Sequence, residues 1–496
     1  MIANRALRLL GHRVRRANIR LLLYAICTPV FKSSLYRRLL EKSGNEAPEF
    51  LPTDIWPGNA NRGSITIEGD FECLGTVIRD ADTPWLATSV SDAWLTNVSE
   101  FDWLRDLRAV GSDAARARAR GLIKLWIETH GSRWQRNSWR PAVTGVRIAN
   151  WLGQREFLAI GADTNFLNQF DGSVHQQNRY LRHVIKFIPV GFDRILACKG
   201  LILTALSTKN SRQLSRWIKH LDREIEQQIL GDGGHVSRSP SIELSLLRHL
   251  IEIRSALRDA KEEVSHTLQT AIDKTAPMVR FFRHGDGGLG LFNGSEEDEG
   301  WLIDVVLTRS EARGKPLESA PHSGFERLSA NRTLLLVDVG KPPPAGFDQR
   351  AHAGTLSFEM SVGKERVITN CGAHFGATEA WLKAQRTTAA HSTVTVENMN
   401  SAELLSMGGI GSRPNSVSSE RRESDGNIWI DAAMIGYSGA ANADHTRRIY
   451  LSANGGDIRG EDTLSGGNSQ KFVARFHLHP AVQASLVRQA NSVLMR

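Results

Sequence analysis

The stretch GDGGHVSRSPSIE, residues 231–243, sets a glycine turn, an imidazole, a guanidinium and a helix start side by side. Gly231, Gly233 and Gly234 permit positive φ and close backbone approach. Ser239 followed by Pro240 is an N-cap and first-turn pair, so a helix is expected from Pro240. His235 and Arg238 then project from a turn leading into a helix N-terminus, a place that favours anions. The same residues admit a structural reading, in which Asp232 and Gly233 end one helix, Ser239 caps the next, Arg238 pairs with a surface carboxylate and Glu243 favours the helix dipole. Helical patterns precede the stretch and strand patterns follow it, so it is expected to floor a cleft between a helical domain and a β domain.

Toward the N-terminus the period is helical from Glu100 onward. Trp103, Leu104, Leu107 and Val110 form one face. Ser112 and Asp113 cap a helix bearing Leu122, Ile123, Trp126 and Ile127, and Pro141 opens another with Val143, Val146, Ile148 and Leu152 inward. Further helices are expected over 164–169, 178–187, 194–206 and 213–230. Helix pairs joined by short polar loops predict antiparallel hairpins arranged in an arc or ring. Toward the C-terminus, one helix with Leu246, Leu250 and Ile251 and another with Ile272 and Met278 give way, after GDGGLG at 285–290, to strand-like runs at 333–339, 355–361, 366–369, 392–397, 427–432, 448–452 and 472–478. Glycine and polar turns between them are the pattern of an antiparallel sandwich. The expected organisation is a basic arm over 1–46, a wrapping segment over 47–90 in which GSITIE at 63–68 alternates like a short strand, a helical domain over 91–300 and a β-sandwich over 301–496.

At 496 residues, 41% hydrophobic and 23% charged, the chain has the length and composition of two soluble domains. Its net charge of +9 belongs to one segment: residues 1–42 hold ten basic residues against Glu41, leaving 52 basic and 52 acidic residues elsewhere. With a charge-balanced body and no nucleic-acid motif, nucleic-acid binding is not expected. The arm's apolar run, Leu21 to Val30, is too short to span a bilayer and lacks a small-x-small cleavage site. This favours a basic amphipathic helix, in peripheral contact with a membrane or lying on the protein's own surface, over a signal peptide. A docked or frayed terminal helix is the plainer alternative. Cys27, Cys73, Cys198 and Cys371 form no CxxC, so neither a disulfide framework nor a cysteine zinc site follows.

In the β region His352, Asn370 and His391 each stand at the edge of a strand-like run, so a sandwich can gather them. Two imidazoles with an oxygen ligand suit Zn2+; isolated histidines are as readily structural. Arg386 reads either as a cleft residue or as an exposed strand-edge one. His445, Arg447 and Arg448 are expected on solvated surface, and His477 and His479 on one face of a strand.

The helical hairpins, GDGGHVSRSP at 231–240, HAGTLSFEMSVGKERVITNCG at 352–372 and RTTAAHSTVTVENMNSAE at 386–403 together resemble the heparinase II/III family of polysaccharide lyases, over about Phe101 to His479. The resemblance implies an (α/α) toroid followed by an antiparallel β-sandwich, a cleft for an acidic polysaccharide, and a cell-envelope or periplasmic location; without a clear signal peptide, a cytoplasmic or membrane-peripheral one is the alternative. It implies β-elimination, in which a uronate carboxylate is neutralised, a base takes the C5 proton and an acid protonates the leaving O4. It also implies structural zinc at His352, Asn370 and His391, with Asn370 where family sites have Asp. The chain departs from the family pattern at three places. Ile242 and Glu243 stand where a Tyr and a His commonly follow the Ser-Pro element, Gly191-Phe192-Asp193 replaces an Asn-His pair, and Arg350-Ala351-His352 replaces His-x-His. If the chain is active, proton transfer then falls to His235 and Glu243, with Arg238 and His235 stabilising the developing enolate and Arg238, Arg350 and Arg386 holding the acidic sugar. The alternative is a glycan-binding protein that keeps the scaffold and has lost elimination. Family members usually continue with more strands past the position of Arg496, which reads either as a shortened sandwich or as a truncated sequence.

Overall fold

The computed structural model of the chain describes residues 26–41, 47–131, 133–437, 443–466, 471–487 and 492–496. The arm's basic residues from Arg5 to Arg20, Lys42 and the apolar run before Ile26 lie outside the described residues. The chain divides into two units. One comprises Met1–Gln228, His249–Thr270 and Phe375–Thr378; the other comprises Ile229–Arg248, Ala271–His374 and Glu379–Arg496. Among the described residues no helix is long and apolar enough to cross a membrane.

The first unit is helical. Ser91, Ser112 and Asp163 each accept a first-turn backbone N–H, from Trp94, Ala115 and Phe166 respectively. Pro141 opens the helix Pro141–Ala159, where its missing N–H costs nothing. This helix packs closely on Phe192–Ser207: a Cβ on Gly145 would stand 2.2 Å from the Leu196 carbonyl oxygen, an approach only glycine allows. Phe101, Trp126, Trp151 and Phe170 fill the interior, with Trp151 and Phe170 stacked at 5.1 Å and Phe101 edge-on to Trp151 at 5.3 Å.

Two expectations here are corrected. GSITIE is not a strand: it lies in the helix Ala60–Glu68, which Asn59 caps through the N–H groups of Asn61 and Arg62 and which Gly69 closes at φ 111°. The helices expected at 164–169 and 178–187 are one, Thr164–Val184, because Phe170, Val174, Gln177 and Leu181 carry the buried stripe through the polar middle.

The second unit contains an antiparallel sheet of Ser319–Ala320, Phe325–Ala330, Thr333–Asp338, Phe358–Val362 and Glu365–Ile368, in chain order. A second antiparallel sheet runs Ile458–Ser465, Asp444–Leu451, Asn427–Ile435 and Ser416–Ser424. Leu335, Val337 and Phe358 of the first share a core with Ile428, Ile430, Met434 and Ile449 of the second, which makes the pair a sandwich. The strands Ser416–Ser424 and Ile458–Ser465 carry no alternating signal, since both are outer strands of their sheet with mostly exposed side chains. His445 and Arg447, expected on solvated surface, are buried and share Asp462, at 2.8 Å from His445 Nε2 and 2.7 Å from Arg447 Nε. The alternation of Asp444–Leu451 turns both inward and leaves Arg448 exposed. The turn at 231–239 and residues 271–300 group with this unit, where the sequence assigned them to the helical domain.

Candidate functional site

The turn at 231–239 is built from the backbone outward. Leu230 N–H donates to the Gly234 carbonyl at 2.8 Å, and Ile229 bridges His235. Gly233 has φ 94°, and a Cβ there would lie 2.3 Å from the Lys274 carbonyl oxygen. Asp232 ties the turn to Ser323, accepting its N–H and its hydroxyl at 2.7 Å each.

Arg238 is the centre of this construction. It takes φ 57°, and its guanidinium lies 4.5 Å from the centre of the Phe325 ring. Its nitrogens donate to the carbonyls of Ser323 (2.6 Å), Gly324 (2.9 Å) and Lys341 (2.8 Å) and to Asp338 Oδ1 (2.5 Å). Both members of the Arg238–Asp338 pair are buried, so the partner is an internal carboxylate rather than a surface one.

His235 and Glu243 are also buried, and they meet through the His235 backbone N–H, which donates to Glu243 Oε2 at 2.5 Å. Ser237 N–H donates to His235 Nδ1 at 3.1 Å, with the Ser237 hydroxyl 2.7 Å from the same nitrogen. Burial lowers the His235 imidazole from 6.5 to about 3, which keeps it neutral near pH 7, and pushes the Glu243 carboxyl well above the usual carboxylate range. Glu243 Oε1 is buried with no hydrogen-bond partner. Ser241 and Ile242, on the same first turn, are only partly buried.

Arg350 is exposed. Arg386 is partly buried and clamps three loops by donating to the carbonyls of Ala351 (3.0 Å), Leu405 (3.3 Å) and Gly409 (2.8 Å). The structure does bring His352 and His391 together, with His352 Nδ1 3.1 Å from His391 Nε2 and His391 Nδ1 2.7 Å from the Thr387 carbonyl oxygen. Asn370 Oδ1 accepts the Ser392 N–H at 3.0 Å, which leaves its buried amino group without a partner. An amino group donates and does not ligate, and among the described residues no group of three His, Cys, Asp or Glu gathers as a metal site. The donor set is two neutral imidazoles and an amide whose oxygen already accepts a backbone N–H.

Two buried clusters escape sequence reasoning. In the β unit, Glu359 accepts from Leu291 N–H (3.0 Å) and Asn370 N–H (2.9 Å) and lies 3.0 Å from His284 Nε2. In the helical unit, Arg105 Nε donates to Asp54 at 2.6 Å, and Lys199 Nζ lies 2.7 Å from Glu252 and 3.1 Å from His249 Nδ1. Trp56 Nε1 also donates to Glu252, at 3.2 Å. Burial works to raise the Glu252 carboxyl, but Lys199, His249 and Arg105 hold it well below the usual carboxylate range. One signal was available: Lys199 is a lone cation between apolar runs in ILACKGLILTAL.

Residues 312–496 match the family described as heparinase II/III-like, C-terminal. FtsZ-localized protein C of Caulobacter vibrioides is 31% identical over 471 residues, covering 90% of this chain and 79% of that protein. Among solved structures, heparinase III superposes with TM-score 0.68 at 13% identity, covering 97% of this chain and 82% of its own. A mutant of heparan sulfate lyase HepC from Pedobacter heparinus superposes with TM-score 0.59 at 18% identity, covering 92% and 77%. The fold is therefore a helical toroid followed in the chain by an antiparallel β-sandwich, a polysaccharide-lyase-like scaffold, and the chain belongs to the heparinase II/III family.

Proposed function

We propose that this protein binds an acidic, uronate-containing glycan on the lyase scaffold without cleaving it by β-elimination. One observation carries the reading: His235, Arg238 and Glu243, the residues expected to move protons and hold the sugar, are buried and committed to internal partners. A general base must reach the proton it abstracts, and a guanidinium bonded to three carbonyls and a carboxylate, with its fifth N–H directed at the Gly340 carbonyl at 3.5 Å, has no donor left to turn toward a substrate carboxylate. Ile242, the partly exposed side chain at the position of the family's tyrosine, has no proton to exchange. Arg350, a solvent-exposed cation, is the residue assigned to contact the acidic sugar.

The test is incubation of the full chain with heparan sulfate, hyaluronan, chondroitin sulfate and alginate. The expected outcome is measurable binding of at least one of them, weakened by Arg350→Ala, with no ultraviolet absorbance of unsaturated uronate. Product formation that is lost in His235→Gln would restore the lyase reading. We propose in addition that His352, Asn370 and His391 work without zinc, so elemental analysis of the same preparation should find no stoichiometric metal.

A second reading concerns location. The relative named for its localisation with FtsZ supports a division-site address, and the arm supports a membrane-peripheral one. In the described part of the arm, Ile26, Val30, Leu35 and Leu39 are exposed beside Lys32 and Arg38, an apolar and basic combination suited to an anionic lipid surface. Sedimentation with FtsZ polymers and flotation with anionic vesicles test the two parts separately.

A further inference from the structure

The outer face of the four-stranded sheet carries a row of side chains that no step above uses. Alternate residues of Asn427–Ile435 and Asp444–Leu451 turn into the sandwich core, and the others turn outward. The register sets Arg422, Trp429, Tyr450 and Arg459 abreast, one from each strand: Trp429 pairs with Arg422 on one side and Tyr450 on the other, and Tyr450 pairs with Arg459. The Trp429 and Tyr450 ring centres are 5.2 Å apart, and the Arg459 guanidinium lies 5.7 Å from the centre of the Tyr450 ring. The Tyr450 hydroxyl donates to Asn427 Oδ1 at 2.9 Å, which fixes its ring.

An outward sheet face is ordinarily polar, so an aromatic pair at the middle of the row is the exception on this face. Both rings are partly exposed, while the flanking side chains of Arg422 and Arg459 are 56% and 76% exposed. The rim offers acceptors as well as donors. Asp431 accepts from Arg422 and from Arg448, and Asp457 accepts from Arg459. Exposed ion pairs of this kind are worth little, so incoming hydroxyl groups can share these donors and acceptors at small cost.

We propose that this face is a binding platform for a neutral oligosaccharide. The apolar C–H face of a pyranose ring packs on Trp429 and Tyr450, while its hydroxyls donate to Asp431 and Asp457 and accept from Arg422 and Arg459. The class follows from the charges. Arg422, Arg448 and Arg459 are offset by Glu420, Asp431, Asp457 and Glu461 on the same strands or at their ends, so the face has no positive excess to attract a polyanion. From Arg422 to Arg459 the row spans three inter-strand steps, about 14 Å, which suits several sugar rings rather than one. The platform is independent of the acidic-glycan reading, and neither requires the other.

The experiment is calorimetric titration of the full chain with cellohexaose and chitohexaose as neutral probes and a heparan sulfate hexasaccharide as the charged one. The expected result is binding of at least one neutral hexasaccharide with affinity unchanged by added salt. Trp429→Thr and Tyr450→Thr, chosen because threonine keeps strand propensity, should each weaken that binding at least tenfold, while Trp429→Phe retains most of it. Circular dichroism and an unchanged melting temperature establish that the variants fold. Absence of neutral binding overturns the proposal, as does neutral binding that folded Trp429→Thr leaves intact. Binding of the charged probe alone, lost in salt, would overturn the neutral class and would still leave the acidic-glycan reading standing.

Discussion

Lys199 in the helical unit and Arg238 in the β unit are both cations removed from water, yet their surroundings are built on different terms. Around Lys199 the compensation is charge against charge, with Glu252, Asp54 and Arg105 within one hydrogen-bonded cluster. Around Arg238 a single carboxylate, Asp338, is joined by three backbone carbonyls, and burial disfavours the charged forms of the neighbouring His235 and Glu243. The difference teaches what burial means in each place. The first cluster gains from being ionised, whereas the second fixes a backbone conformation, positive φ at Arg238 included, and disfavours charge on His235 and Glu243. Neither arrangement presents a proton to a substrate by virtue of being buried and titratable.

The comparison breaks most readily at Arg238. Arg238→Met removes the donor from four acceptors at once and leaves Asp338 buried without its cation. The expected loss is roughly 3–5 kcal/mol in chemical denaturation of the β unit, and a loss near zero would mean that the turn is held by something else. Lys199→Met should cost less, about 2–3 kcal/mol, because Glu252 keeps Trp56 and lies near Arg105. A larger loss than that of Arg238→Met would reverse the contrast drawn between the two units.

The smallest effects are in pH dependence, and they differ in sign. Unfolded Glu243 releases its proton above about 4.5, whereas the buried carboxyl keeps it, so this group lowers stability as pH rises through that point. Glu243→Gln should therefore raise stability at pH 7. Glu252 works the other way: its depressed folded pKa gives stability above about 4.5 that is lost as pH falls, so Glu252→Gln should destabilise at pH 7. His235 adds an acid-side slope, because the unfolded imidazole takes a proton below about 6.5 and the folded one does not until about 3. His235→Gln should flatten stability across that window. Opposite signs for the two glutamate variants are the sharpest check of the comparison, and equal signs would remove it.

Legibility in the sequence followed burial on one side. The helix from Pro240 announced itself through Ser239 and Pro240, and the alternating strand Asn427–Ile435 through its inward apolar residues, because each signal is local to a few neighbours in the chain. Ser416–Ser424 and Ile458–Ser465 were illegible since their strand character comes from pairing with the strands beside them, and their own side chains remain in water. The candidate site divides in the same way. The sequence allows a sandwich to gather His352 and His391, which do lie side by side, whereas Arg238 read either as a sugar-binding cation or as a partner of a surface carboxylate, and it is neither in its bonding: its partner is Asp338, 100 residues on and buried.

The sequence by itself determined the order of helical hairpins and strands, the confinement of excess positive charge to an arm, and the departures at Ile242, Glu243 and Arg350 from the family's pattern, since all of these are statements about residue type and spacing. Only the tertiary structure decided what GDGGHVSRSPSIE does, because the ionisation and availability of His235, Arg238 and Glu243 depend on which distant groups surround them. Ser323, Gly324, Asp338 and Lys341 reach Arg238 across roughly the length of a small domain of chain, and desolvation, which sets the charge state of His235 and Glu243, is a property of the packed interior and has no counterpart in the local sequence.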